Sequence, residues 1–208
     1  MRRTHVRLIG ILVIASTAIL QPACASLVAN TTAGSPQSEQ RGTIGTLPRV
    51  LVGGGPFAVA LDSVTHTAYV ANQSANTLSV INTRSCNARD TFGCGQVPVT
   101  VAAGNGPAAL AVDQATGTVY VTDVLSDTVS VINAATCNAS DTSGCGQKPR
   151  SVKVPAGPNA VAVDQATGTV YVTSGGINFS GTGDQLAVIN AATCNSKTTS
   201  GCGQTRPP

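Results

Sequence analysis

The chain has 208 residues, of which 42% are hydrophobic, 3% aromatic and 10% charged, and its formal net charge is +3. Three arginines (Arg2, Arg3 and Arg7) belong to a leading segment, and its removal lowers the net charge to about zero. So weak a charge argues against nucleic acid and against an anionic membrane surface as partners.

The first predicted element is a secretory signal peptide over residues 1–25. The arginines are followed by an apolar run over residues 8–20. This run is shorter than the roughly 20 residues that span a bilayer, and it suits the hydrophobic part of a signal. Ala23 and Ala25 form an A-x-A cleavage signal, which predicts a mature chain beginning at Ser26.

Cys24 supports a second interpretation of the same segment, a bacterial lipobox in which this cysteine becomes the lipidated first residue. Gln21 and Pro22 depart from the usual lipobox pattern. Both interpretations predict export from the cytoplasm, either by free secretion or with a lipid anchor at the cell surface. The anchor is then the only predicted contact with a membrane.

Residues 26–47 are predicted to be a flexible linker. The segment is rich in Ser, Thr, Gly and Gln and has no sustained hydrophobic periodicity. Such a composition gives a tether rather than a packed element.

Residues 48–208 contain three repeats, at about 48–97, 98–148 and 149–208. Their landmarks recur every 51 residues, as in Pro56, Pro107 and Pro158, or Tyr69, Tyr120 and Tyr171. A fixed period of this size indicates a solenoid or a propeller, in which each unit buries its apolar face against a neighbour.

Each repeat is predicted to form four short strands. In the middle repeat these are 99–104, 108–113, 118–122 and 128–133, all rich in β-branched residues. The DQATG segment (113–117) between two of them has Asp at a turn start and Gly where a positive φ is needed. The predicted fold class is therefore all-β.

The segments AVDQATGTVYVTD, DTVSVIN and GTVYVTS resemble the YVTN-type β-propeller repeat. The resemblance covers about residues 48–205 and implies that each repeat is one four-stranded antiparallel blade. Family propellers normally have six to eight blades and repeats of about 40 residues. This chain has three longer repeats, which implies a partial ring.

The repeats are out of phase with the blades by one strand. PRVLVGG (48–54) aligns with the fourth strand of a blade, whereas the third repeat ends after its third strand and a loop. The alignment predicts that residues 48–54 of one chain complete the third blade of another. We therefore expect a homo-oligomer, a dimer that makes a six-bladed ring without open sheet edges.

The cysteines are predicted to form three local disulfide bonds. Seven residues separate the two cysteines of each pair, which differs from the short spacings of zinc sites. In an exported chain such spacing indicates disulfides. A loop that binds a ligand at one rim is the alternative role. The pairs are Cys86 and Cys94, Cys137 and Cys145, and Cys194 and Cys202.

No catalytic, cofactor or metal site is predicted. Asp62, Asp113 and Asp164 recur at turn starts, where a carboxylate accepts backbone N–H bonds. Aspartates on separate turns do not converge as a calcium site requires. His66 lies in one such turn, without the partners that a Ser-His-Asp triad would need.

One connection breaks the repeat. The segment SGGINFSGTGD (174–184) is six residues longer than its counterpart in the second repeat. An irregular loop on a regular scaffold is a usual place for binding. Asn178, Phe179 and Ser180 are therefore candidate binding residues, and neutral variation of a surface loop is the alternative.

The leading functional hypothesis is a non-enzymatic, secreted or surface-tethered module whose loops bind a protein, a glycan or an envelope component. A partial propeller enzyme of the lyase or lactonase kind is the second hypothesis. The third is a fragment of a longer propeller protein with no function of its own. The scarcity of aromatic residues argues against a lectin that stacks sugars on flat side chains.

The fate of Cys24 separates free secretion from lipid anchoring. We expect intact-mass analysis of the exported protein to give a chain that begins at Ser26 and carries no acyl group. Cys24→Ser should then leave its distribution between membrane and medium unchanged. Acyl groups on Cys24, together with release from the membrane by that substitution, would show the lipoprotein alternative instead.

Overall fold

The computed structural model describes residues 47–175 and 184–203, which belong to one of the two units into which the chain divides. These residues form eleven β-strands and one short 3-10 helix, Phe92–Gly95, so the all-β prediction is confirmed. None of the described helical segments is long and apolar enough to cross a membrane. The strands are β1 (Pro56–Asp62), β2 (Thr67–Asn72), β3 (Thr77–Asn82), β4 (Val99–Ala102), β5 (Pro107–Asp113), β6 (Thr118–Asp123), β7 (Thr128–Asn133), β8 (Arg150–Lys153), β9 (Pro158–Asp164), β10 (Thr169–Ser174) and β11 (Gln185–Asn190).

The strands form three antiparallel sheets, and the strands of each sheet neighbour one another in chain order. Sheet 1 contains β1 to β4, sheet 2 contains β5 to β8, and sheet 3 contains β9 to β11. Equivalent strands pair in the same register, as in Tyr69↔Val80, Tyr120↔Val131 and Tyr171↔Val188. The internal repeat of the sequence is therefore a repeat of whole sheets.

The sheets pack face to face in series through two apolar clusters. The first lies between sheets 1 and 2 and contains Tyr69, Leu78 and Val80 from one side and Leu110 and Val121 from the other. The second repeats this arrangement between sheets 2 and 3, with Tyr120, Val129 and Val131 against Val170 and Val172. Sheet 2 is thus covered on both faces, which explains why β6 is fully buried.

The turn after the first strand of each sheet is held by its aspartate. In sheet 1, Asp62 Oδ1 accepts the backbone N–H of Val64 at 2.9 Å, and Oδ2 accepts the hydroxyl of Thr65 at 2.8 Å. Asp113 and Asp164 make the same bonds in their own turns. These carboxylates are structural, because their oxygens already have turn partners.

The loop after the third strand of each sheet is closed by a local disulfide bond. Cysteines eight positions apart are joined, with Cα–Cα distances of 4.6 to 4.7 Å. A glutamine adds a second closure: Gln147 Oε1 accepts the N–H of Asn133 at 2.9 Å, and its Nε2 donates to the carbonyl of Gly144 at 2.9 Å. We call these segments the cysteine loops; the bonds are Cys86–Cys94, Cys137–Cys145 and Cys194–Cys202.

The predicted strand over residues 48–54 is absent from the single chain. Residues 48–52 have no regular secondary structure, and Leu51 is 78% exposed. Within the described part of the chain, sheet 3 has three strands, and β11 lies at its edge. This agrees with the prediction that the third repeat ends after its third strand. A strand needs an adjacent edge to pair with, and residues 48–52 pair with no described strand of their own chain.

The three disulfide bonds should differ in their contribution to stability. Replacing Cys137 and Cys145 with alanine should lower the free energy of unfolding by about 2.5 kcal/mol through loop entropy alone. A further loss should follow because both cysteines pack in the cluster between sheets 1 and 2. Urea denaturation with linear extrapolation measures the change.

The matched control for this measurement is the pair Cys86 and Cys94, which closes a loop of the same length outside that cluster. In the single, undimerised chain its replacement should cost less than the replacement of Cys137 and Cys145. Equal losses would contradict the packing argument, and cross-repeat links in a non-reducing peptide map would contradict the local pairing.

Candidate functional site

Tyrosine hydroxyls join each sheet to the cysteine loop of the next sheet. Tyr69 donates to the carbonyl of Cys137 at 2.7 Å, and Tyr120 donates to the carbonyl of Cys194 at 2.6 Å. Both side chains are fully buried, and burial raises the pKa of each phenol above its usual range. The phenols therefore remain protonated and serve as permanent donors across the sheet junctions.

Two more hydrogen bonds recur at each junction, one at either end of the strands. A threonine hydroxyl on the second strand accepts a cysteine-loop N–H, and a side-chain oxygen between the second and third strands accepts a glycine N–H. These bonds are Ala139 N to Thr67 Oγ1 at 2.8 Å, Ser196 N to Thr118 Oγ1 at 3.0 Å, Gly106 N to Asn76 Oδ1 at 2.9 Å and Gly157 N to Asp127 Oδ1 at 2.9 Å.

Two sets of connections meet at the edge opposite the cysteine loops. The backbone carbonyl of Gly55 accepts the N–H of Gln73 at 2.8 Å, and the carbonyl of Gly106 accepts that of Val124 at 3.0 Å. Each bond joins the segment that enters a sheet to the connection between its second and third strands. We call this the connection edge; it comprises residues 53–55, 73–76, 104–106, 124–127, 155–157, 175 and 184.

The connection edge differs in side chains from one sheet to the next. Equivalent exposed positions hold Gly54, Asn105 and Ala156 in one row, and Ser74 and Leu125 in another. Leu125 is a 61% exposed apolar side chain. At the opposite edge, by contrast, sheets 2 and 3 have the same turn sequence, QATG. Sheet 1 has SVTH at this turn, so it is sheets 2 and 3 that share this edge while they differ at the connection edge.

A buried acid lies beneath the connection edge of sheet 2. Asp123 is fully buried, accepts the N–H of Gly104 at 3.0 Å and accepts the hydroxyls of Ser130 at 2.7 Å and Thr128 at 3.2 Å. A Cβ atom at position 104 would collide with the carboxylate. Burial is the dominant cause that raises the pKa of Asp123 to about 6.

The equivalent position of the other sheets is also polar and buried. Asn72 donates to Ser79 Oγ at 3.0 Å in sheet 1, and sheet 3 has Ser174, whose Oγ lacks a partner within the described structure. In sheet 3 the glycine that faces Asp123 is replaced by Pro155, and the partner serine by Ala187. Proline has no N–H and alanine has no hydroxyl. Ser174 is therefore left without the bonds that Asp123 makes.

The candidate residues of the sequence lie in different places. Asn178, Phe179, Ser180 and Cys24 fall outside the described residues. His66 has a φ of 53° and fills the turn position that Gly117 and Gly168 occupy in the other sheets. His is among the residues that tolerate this region, so a backbone requirement accounts for its place. Across residues 47–175 and 184–203, no three His, Cys, Asp or Glu side chains are grouped as a metal site.

Sequence analysis missed the cross-sheet bonds of Thr67 and Thr118 and the buried acid Asp123. The threonines were indistinguishable from other β-branched strand residues. Asp123 ends a strand, where aspartate is common as a turn residue. The available signal in the sequence was the unequal set Asn72, Asp123 and Ser174 at one repeat position.

Comparison with known proteins finds a likeness in structure but none in sequence. No protein-family model matches the chain, and no curated protein matches its sequence. The hydrazine synthase of Kuenenia stuttgartiensis is similar in structure, with a TM-score of 0.52 and 22% identity over 73% of this chain and 37% of that one. A functionally unknown protein from Desulfotomaculum acetoxidans DSM 771 has a TM-score of 0.48 and 16% identity, over 67% and 38%. The chain thus spans well under half of each matched structure.

The buried acid should make stability depend on pH. The folded-state pKa of Asp123, about 6, exceeds its usual value of 3.8. The stabilisation that Asp123 contributes to the free energy of unfolding is therefore fully present below pH 3.8 and is lost as the pH rises through about 6. Asp123→Asn should be more stable than the parent by about 3 kcal/mol at pH 7 and equal to it below pH 3.8.

Urea denaturation across this pH range measures the difference in the free energy of unfolding between variant and parent. The contributions of the other titrating groups cancel in this difference. The reciprocal variant Asn72→Asp is the matched control, since position 72 has the same burial in sheet 1. It should acquire the pH dependence that Asp123→Asn loses. A constant difference between Asp123→Asn and the parent from pH 4 to pH 7 would show that this carboxylate does not titrate in that window.

Proposed function

We propose that the protein is a non-enzymatic β-propeller module of the YVTN type, in which each sheet is one blade and the connection edge binds a component of the cell envelope. The recurrent packing of sheet upon sheet supports the blade arrangement. Three disulfide bonds indicate an oxidising, extracytoplasmic environment, and secretion or tethering at the cell surface agrees with it.

The observation that carries the proposal is the contrast between the two edges of the sheets. At the cysteine-loop edge, Asp62 is engaged in its turn and Thr67 in the junction to the next sheet. At the connection edge the exposed side chains change from sheet to sheet while the backbone bonds beneath them are kept. Variable side chains on a fixed backbone are the usual design of a binding surface.

The positions of three aspartates support binding rather than catalysis. The repeated aspartates Asp113 and Asp164 are bonded within turns. Among the described residues, Asp123 is the carboxyl group whose pKa is strongly raised, and it is enclosed by Gly104 and Ser130. A general acid must reach the proton it transfers, and a fully buried carboxylate does not reach a substrate at the surface.

The central residues of the connection edge should therefore determine envelope binding. The double variant Asn105→Ala, Leu125→Ser changes two exposed side chains but leaves the backbone bond between these residues intact. We expect it to bind a purified envelope fraction at least tenfold more weakly than the parent in a sedimentation assay. Phe92→Ser is the matched control, because Phe92 is 97% exposed on the opposite edge.

Treating the envelope fraction before the assay identifies the ligand class. Loss of binding after protease treatment indicates a protein ligand, and loss after periodate oxidation indicates a glycan. Parent protein that does not sediment with untreated envelopes, or a double variant that binds as well as Phe92→Ser, would refute the proposed binding edge.

A further inference from the structure

The outer face of sheet 1 is an uncovered copy of a face that sheet 2 buries. Ala108 and Leu110 of sheet 2 are 6% and 8% exposed because sheet 1 covers them. The equivalent residues of β1, Phe57 and Val59, are 64% and 62% exposed, and Leu61 beyond them is 66% exposed. Contiguous exposed apolar residues of this kind mark an interaction surface.

The outer face of sheet 3 is the complementary half of the same junction. In sheet 2, Tyr120 and Val129 are fully buried under sheet 3. Their equivalents in sheet 3 are Tyr171, which is 37% exposed, and Leu186, which is 57% exposed. Val188 follows at 55%. The chain therefore has both halves of a sheet junction, one at each end of the series.

We propose that these two end faces bind each other between two copies of the chain, so that two copies close a ring of six sheets. The occupant of each face is a second copy because the opposite face of that copy has the matching chemistry. The proposal rests on the repeated junction and on the blade arrangement of the proposed function, and it is independent of envelope binding at the connection edge.

The polar groups of the two ends match as well as the apolar ones. By repeat equivalence, the Tyr171 hydroxyl of one copy donates to the carbonyl of Cys86 in the other, as Tyr69 does to Cys137. In the same way Thr169 Oγ1 accepts the N–H of Ala88, and Asp184 accepts that of Gly55. These three bonds reproduce the set found at both internal junctions.

Pockets lie where the second copy must enter. A pocket of about 440 Å³ is lined by Cys86, Asn87 and Ala88. The carbonyls of the equivalents of Cys86 at the internal junctions, Cys137 and Cys194, accept the tyrosine hydroxyls. Cys86 is half-buried, whereas its equivalents Cys137 and Cys194 are fully buried beneath a preceding sheet.

A second pocket, of about 710 Å³, runs beside β11 and is lined by Leu186, Val188 and Val152. It lies between β11 and β8, the fourth strand of sheet 2. A fourth strand in sheet 3 would pair with β11 and fill this space.

Residues 48–51 of the second copy supply the strand that fills this pocket. In sheet 2 the pairing is Val129↔Val152, and the repeat makes Val50 the equivalent of Val152. The predicted contact between copies is therefore Leu186↔Val50, flanked by Gln185↔Leu51. Pairing the open edge of β11 removes a site of uncontrolled association.

Two is the number of copies that the geometry of blades favours. A head-to-tail contact either closes a ring or continues as a filament. Propellers of four-stranded blades typically contain about 4 to 8 blades. Copies with three sheets each reach that range only as a pair.

Sedimentation velocity of the exported chain, purified with its disulfides intact, tests the proposal. We expect twice the mass of one chain, and Leu186→Asp should reduce it to the mass of a single folded chain. Phe92→Asp is the control, because it places the same charge on an exposed apolar site outside both end faces. Tyr171→Phe should weaken the dimer about tenfold without changing the far-ultraviolet circular dichroism of the single chain.

Cross-linking tests the partner strand separately. Val50→Cys and Leu186→Cys, placed on two differently tagged chains and co-expressed, should form a disulfide-linked heterodimer, because paired strands bring Cα atoms within bonding range. A single-chain mass for the unmodified protein at micromolar concentration would overturn the proposal. So would an assembly of more than two copies, or a failure of these cysteines to link the two chains.

Discussion

The bond between a buried tyrosine hydroxyl and the carbonyl of a disulfide cysteine is the constraint on which the arrangement of the sheets depends. A small sheet without a neighbour cannot bury its apolar face, and a buried phenol without a partner is unfavourable. Tyr69 and Tyr120 meet both requirements in the following sheet. Each sheet is therefore incomplete by itself, and its stability depends on where the next cysteine loop lies.

This dependence gives the disulfide bonds a role beyond the entropy of the unfolded chain. Each cysteine loop must present a carbonyl to a tyrosine and an N–H to a threonine of the preceding sheet. A flexible loop would lose entropy each time it met these groups. The disulfide Cys137–Cys145 and the Gln147 side chain fix the loop in advance, so the junction forms between two rigid surfaces.

The sequence predicted the features that depend on neighbours along the chain. Alternation and turn residues located the strands, and the spacing of Cys137 and Cys145 predicted their bond. Features that depend on distant neighbours were missed. Thr118 bonds a loop 78 residues away, and no local pattern marks it. Residues 48–54 have a strand sequence, but residues 48–52 form no strand in the single chain, because a strand also requires an edge beside it.

The third repeat separates what the internal junctions require from what they tolerate. Beneath the connection edge, Pro155 and Ser174 replace the glycine and aspartate of sheet 2, so those polar contacts are dispensable. At its outer face the same repeat keeps Tyr171 and Thr169. Their counterparts in sheets 1 and 2 are the tyrosine that donates to the following cysteine loop and the threonine that accepts an N–H from it. If the outer face of sheet 3 stayed in contact with solvent, polar residues at the position of Tyr171 would be more favourable. Retention of the junction residues is what a face that is covered in the assembled protein requires.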